Sequence, residues 1–285
     1  MSIVLIRNTF EMETETSPLM RLPVELRLLI YRHLFDDHGN QTIAIRNRSH
    51  LRQAEYKHAI KGRWLRSKYR VTERSYQQIY FETTYCTESN VEFHTAIMAA
   101  NRTIYAETSD LVYGRHSFDF GPDIEAVVPF FQDRSPETRA QIGEISVRKK
   151  ILYSFEGTKY EWRKMFLYLR NLPDLRRLSV TVEGGRPTAP WDGPKELLVS
   201  DMRLLWMIKH DSMEWVNDMA NADGLEQIVI VPEVNYMPAP KTSAALLHAA
   251  FSASISTSLV EFLRSDLHLA ARTGTEQCSQ EMNRG

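Results

Sequence analysis

Cysteine is nearly missing from this chain, with two residues in 285, Cys86 and Cys278. They lie far apart and match no metal or redox spacing, which excludes a disulfide framework and a Cys-type zinc site. A reducing, intracellular compartment, cytoplasmic or nuclear, is the expectation. Net charge is nearly missing as well: 35 Lys and Arg stand against 36 Asp and Glu. No global pull draws such a chain to nucleic acid or membrane, so either function needs a local patch. The apolar run at residues 3–6 is too short for a signal-peptide core, and the acidic, Thr-rich residues after it are wrong for a transit peptide. Residues 242–263 are almost uncharged, but many Ser, Thr and Ala dilute the apolarity that a membrane span needs. The stretch reads instead as one C-terminal helix docked by Leu247, Phe251, Ile255, Leu259 and Leu263. A Gly-rich phosphate loop, a G-x-S-x-G elbow, an H-E-x-x-H pair and a Cys-His cluster are also missing, so the chain reads as a non-enzyme without cofactor or metal. His33 and Asp37, one helical turn apart beside Asp36 and His38, come nearest to a ligand set and read as polar surface. His210 and Asp211 are adjacent, diverge by about 100° on a helix and form no dyad.

What is present begins with residues 21–37, R-L-P-V-E-L-R-L-L-I-Y-R-H-L-F-D-D. Pro23 suits a first helical turn, where its missing N–H would be unpaired anyway, and Glu25 adds a carboxylate near the positive end of the helix dipole. Leu22, Leu26, Leu29, Ile30 and Leu34 form one apolar face, and Val24, Leu28, Tyr31 and Phe35 form a second on the opposite side. A surface helix needs one apolar face. Two faces imply a helix sandwiched inside the chain or one that offers its second face to a partner protein.

The stretch L-P-V-E-L-R-L-L-I-Y-R-H-L-F resembles the opening of an F-box, in particular the F-box-like segment at the front of many fungal proteins. Residues 99–120, A-A-N-R-T-I-Y-A-E-T-S-D-L-V-Y-G-R-H-S-F-D-F, resemble the segment that accompanies it there, an N-R-x-I-Y-x-E helix leading into Y-G-x-x-x-F. The resemblance implies a substrate receptor of a Skp/cullin-RING ubiquitin ligase, which docks a Skp-type adaptor and holds an unknown substrate protein with the C-terminal body. On that reading Leu22, Leu26, Ile30 and Leu34 hold the helix to the body, while Val24, Leu28, Tyr31 and Phe35 meet the adaptor.

Between these segments lies a basic insert. Residues 46–74 contain ten Lys or Arg against Glu55 and Glu73, which leaves about −9 for the rest of the chain. Arg63, Trp64, Arg66, Lys68, Tyr69 and Arg70 interleave cations with aromatics, a pattern able to track phosphates and stack bases. A solvated insertion whose charges stay wet and a surface for an acidic protein remain open beside nucleic acid or another polyanion.

Further along, apolar residues from Ile97 to Val112 recur at a helical period that ends at Gly114, with Asn101 inside the apolar stripe, and His116, Phe118 and Phe120 alternate as a strand. Ile142-x-x-Ile145-x-Val147, Leu175-x-x-Leu178-x-Val180 and Leu225-x-x-Ile228-x-Ile230 then share one pattern, each behind a helical segment at 124–132, 162–170 or 213–220. The offsets are 33 and 50 residues, the excess matching a turn-rich insertion at 184–194. The expectation is an α/β chain, with α+β as the nearby class: a loose lead-in at 1–20, an F-box-like helical region at 21–120 with the insert at 46–74, a helix-strand body at 121–272, and a disordered tail at 273–285. Stacked units of this kind have the geometry of degenerate leucine-rich repeats, although the Asn or Cys that usually closes such a repeat is missing. An ordinary α/β domain with three buried strands is the alternative.

Overall fold

The repeated apolar pattern becomes a row of neighbouring parallel strands. The computed structural model describes residues 17–36, 42–49, 67, 69–73, 79–88, 95–150, 156–172, 174–188, 196–221 and 225–273. Strands β1 (Thr42–Ser49), β2 (Tyr69–Glu73), β3 (Ile79–Glu88), β4 (Ser117–Asp119), β5 (Glu144–Lys150), β6 (Arg177–Pro187), β7 (Gln227–Met237) and β8 (Ala271–Thr273) form one sheet. Its order is β2-β3-β1-β4-β5-β6-β7-β8. From β1 to β8 all neighbours are parallel, and β3 and β2 add an antiparallel hairpin at the β1 edge. The chain is α/β.

The register places equivalent residues of the pattern side by side. Ile145 pairs with Leu178 and Leu178 with Ile228; Val147 pairs with Val180 and Val180 with Ile230. The first row continues through Phe118 to Ile43 on one side and to Ala271 on the other. All of these side chains are buried. Because side chains alternate between faces, a slip of one residue would turn the whole row to solvent, so burial fixes the register.

The helices are α1 (Val24–Asp36), α2 (Arg102–Ser109), α3 (Val127–Gln132), α4 (Pro136–Gln141), α5 (Glu156–Leu169), α6 (Val199–Met207), α7 (Glu214–Ala220), α8 (Ser243–Ala253) and α9 (Ser258–Ser265). Strands β4 to β8 lie in chain order, so every crossover steps the same way, and a common right hand sends the crossover helices to one face. Burial agrees. Phe130 of α3, Trp162 of α5, Leu205 of α6, Trp215 of α7, Phe251 of α8 and Phe262 of α9 share one core with Ile145, Leu178 and Ile228. On the opposite face Ser146, Arg148, Arg177, Ser179 and Thr181 are partly exposed. Arg177 pairs there with Glu144 at 3.5 Å, and Arg148 reaches across β6 to Glu233 at 3.2 Å.

The main chain closes successive units where the pattern has no Asn or Cys. The N–H groups of Arg176 and Arg177 both donate to the Gly143 carbonyl, and those of Glu226 and Gln227 both donate to the Arg176 carbonyl.

Three expectations are corrected. Residues 184–187 are not part of a turn-rich insertion: β6 runs to Pro187 and pairs with β7 as far as Met237. Gly184 lies in the strand because α8 crosses it so closely that a Cβ there would sit 2.8 Å from the Ser252 Cβ, the close backbone approach that glycine in a strand permits. The single C-terminal helix is two helices, α8 and α9, bent by 72°. At the break, the Ser254 hydroxyl donates to the Ala250 carbonyl and accepts from the Leu197 N–H, which gives the interrupted helix other partners. The region expected to be helical contains β1, β2 and β3, and the expected boundary at 120/121 falls just behind β4 of the same sheet. These strands escaped notice because two of them lie at the ends of the basic stretch, where charges obscure the alternation of Ile43 and Ile45. Of the loose lead-in expected at 1–20, residues 1–16 lie outside the described residues, and Pro18–Arg21 is a 3-10 turn whose Leu19 and Met20 pack against the core; of the tail expected at 273–285, residues 274–285 lie outside the described residues and Thr273 belongs to β8. Among the described residues no single helix is long and apolar enough to cross a membrane.

The register makes a direct prediction. Leu178→Ala, in the middle of the buried row, lowers the unfolding free energy by roughly 2 to 5 kcal/mol, whereas Thr181→Ala on the open face stays within about 0.5 kcal/mol. Urea titration of both variants checks the difference.

Candidate functional site

Helix α1 is held to the body by its charged and aromatic residues, and two of its four leucines, Leu26 and Leu29, face out. Arg27 makes a two-pronged contact with Glu107 of α2, Nε to Oε2 at 3.0 Å and Nη2 to Oε1 at 2.5 Å, and its Nη1 donates to the Leu22 carbonyl at 2.6 Å. Both side chains are largely covered. The Arg27 hydrogen bonds hold the Glu107 carboxyl below the usual carboxylate range. Beside them Tyr31 is 0% exposed and its phenol is pushed up, first by burial and then by Glu107. Phe35, one turn further on, is 5% exposed and joins the core.

The two faces of α1 are therefore exchanged relative to expectation. Leu26 is 47% exposed and Leu29 58%, with Ile30 exposed beside them. Leu22 is half-buried, and both Leu28 and Leu34, one from each expected face, pack partly against the core. Of the four residues expected to meet an adaptor, Tyr31 and Phe35 are core, Leu28 is half-buried, and Val24 is exposed at the open N-terminal end. Periodicity found both stripes correctly, but assigning them required knowing that Arg27, between Val24 and Tyr31, had a carboxylate to reach 80 residues away.

The second motif-bearing segment supplies that carboxylate. Asn101 is not buried in a stripe; it is exposed and caps α2, with Oδ1 accepting the Thr103 N–H at 2.8 Å. Glu107 closes the N-R-x-I-Y-x-E run. The helix ends in a π-helical turn, Asp110–Gly114. Within this turn the Tyr113 ring stacks on Phe118 at 5.9 Å, and the Arg134 guanidinium lies 5.2 Å from Tyr113 and 4.6 Å from Phe130. The residues that carried the resemblance are thus the joint between α1, α2 and the sheet.

Of the cation-aromatic candidates, Arg63, Trp64, Arg66 and Lys68 lie outside the described residues. Tyr69 and Arg70 fall on β2, so this end of the insert is ordered strand. Tyr69 is not a free stacking platform, since the Lys164 ammonium covers its ring at 5.5 Å. The described ends of the insert are anchored by acids. The Asn47 N–H donates to Asp123 at 3.2 Å and the Ser67 N–H to Asp133 at 2.7 Å. Sequence reading missed these acids because nothing local marks a carboxylate whose donor lies 76 or 66 residues away along the chain.

His33 is exposed on α1, Asp37 and His38 lie outside the described residues, and no group of three or more His, Cys, Asp or Glu among the described residues is placed to hold a metal ion. Cys86 is a partly buried free thiol on β3.

The arrangement defines a class: a one-sided α/β sheet with a helical joint at its front that turns apolar side chains outward. The chain belongs to the family described as Domain of unknown function (DUF7730), whose model matches residues 12–210, from ahead of α1 to just beyond α6. No curated protein and no solved structure matches the chain.

The exchanged faces can be tested by stability alone. Phe35→Ala lowers the unfolding free energy by roughly 3 to 5 kcal/mol, and Leu29→Ala changes it by no more than about 0.5 kcal/mol, read by denaturant titration.

Proposed function

We propose that this chain is a non-catalytic protein-interaction module, an F-box-like substrate receptor in which the outward face of α1 docks a Skp-type adaptor and the open side of the sheet meets the recruited protein. The observation that supports it most is the strip Leu26, Leu29 and Ile30, exposed on a helix whose other side is locked in the core. An apolar strip on a fixed surface helix offers a partner helix the i, i+3, i+4 anchors of helix-in-groove recognition, and burying it removes apolar area from water at little ordering cost, because the helix is already held. The resemblance of residues 21–37 and 99–120 to the F-box-like segment supports the choice of a Skp-type adaptor. The open face suits a second protein, since its polar and small residues are already laid out in register and need no rearrangement to be covered.

The reading is tested by co-purification of the full chain with a Skp-type adaptor. The wild type is expected to retain the adaptor, and the double variant Leu26→Asp, Leu29→Asp to lose it while keeping its melting temperature. A wild type that captures no adaptor overturns the proposal.

A further inference from the structure

Beneath the hairpin at the sheet edge lies a group of carboxylates that the adaptor reading does not use. Glu125 stands in the short 3-10 turn Ile124–Ala126 between β4 and α3, and its Oε2 is buried without a hydrogen-bond partner among the described residues. Asp123 is two residues away and Glu161 approaches from α5. We propose that Asp123, Glu125 and Glu161 form a pH-sensitive latch that seats β1 and the β2–β3 hairpin beside it firmly when Glu125 is protonated and loosely when it is ionised.

The geometry joins these acids to both strands. From β1, the Asn47 side chain lies against Glu125, and its N–H donates to Asp123. From β2, the Tyr69 phenol lies against Glu161, and its ionisation is suppressed by burial first and by Glu161 and Glu125 after that. From α5, Lys164 bridges Glu161 at 3.0 Å, a cation already engaged with a different acid. Arg46 of β1 and Lys150 of β5 act on Asp123, opposed by Glu88 of β3. Helix α3, VVPFFQ, brings no titratable side chain. The charged groups that act most on Glu125 are acids, Asp123 first and then Glu161.

Burial above all, then Asp123 and Glu161, push the Glu125 carboxyl up to about 7 from its ordinary 4.5. The seated strands therefore bind a proton that they release when unseated. Their stability falls as pH rises from 4.5 to 7 and levels off above 7. Opening returns the carboxyl to its ordinary value, so between pH 6 and pH 8 the open population grows roughly tenfold.

Amide hydrogen exchange on the full chain, normalised to the intrinsic rate at each pH, measures this directly. In the wild type, protection in Thr42–Ser49 and Tyr69–Glu73 should fall roughly tenfold from pH 6 to pH 8 relative to β6, and in Glu125→Gln it should be the same at both. An equal pH response in wild type and variant, or none in the wild type, overturns the proposal. A carboxyl carbon NMR titration of the wild type keeps the question decidable if the variant folds poorly. A Glu125 midpoint near 7 supports the latch, and one in the usual carboxylate range removes it.

Discussion

The front of this molecule depends on one contact, the two-pronged ion pair between Arg27 and Glu107. A helix with apolar side chains on both sides has two ways to lie on a core, and hydrophobic burial alone scarcely distinguishes them. The pair does. A guanidinium and a carboxylate that are both largely covered cost free energy when either is left alone. The orientation that joins them therefore wins, which buries Tyr31 and Phe35 and leaves Leu26 and Leu29 in water. The solvent-facing leucines are a consequence of this electrostatic choice as much as of their own hydrophobicity.

The same contact gives a physical reason for two sequence segments to occur together in one chain. The E-L-R turn supplies the arginine, the I-Y pair supplies the tyrosine beside it, and the N-R-x-I-Y-x-E helix supplies the cap at its start and the glutamate at its end. Between them lies the basic stretch, whose described ends are tied to acids on the sheet's helical side, the Asn47 N–H to Asp123 and the Ser67 N–H to Asp133.

Much of the body was legible in the sequence, for a definite reason. A fully buried parallel strand leaves the same short apolar signature in each unit, and Ile145, Leu178 and Ile228 occupy corresponding places because they are neighbours in one row. Where the signature was diluted, the reading failed. β1 and β2 are overlaid with arginines, Gly184 and Gly185 looked like a turn because a strand crossed closely by a helix needs glycine too, and Ser254 broke a helix inside an unbroken apolar stripe by way of a hydrogen bond to a distant Leu197. The candidate site was half legible. Both apolar stripes of α1 could be read from periodicity, but which of them faces water was set by Glu107, and the acid group around Glu125 assembles from residues that are unremarked one at a time.

The central claim, that the Arg27–Glu107 pair orients α1 and so decides which of its faces is free, is tested most directly by a double-mutant cycle. Arg27→Met, Glu107→Gln and the combination should be compared by hydrogen exchange of the α1 amides. The account predicts that each single variant loosens α1 and that the double variant loosens it by clearly less than the two effects added together, since most of the single-variant cost is a covered charge left without its partner. Strict additivity, or single variants in which α1 is as protected as in the wild type, would contradict it.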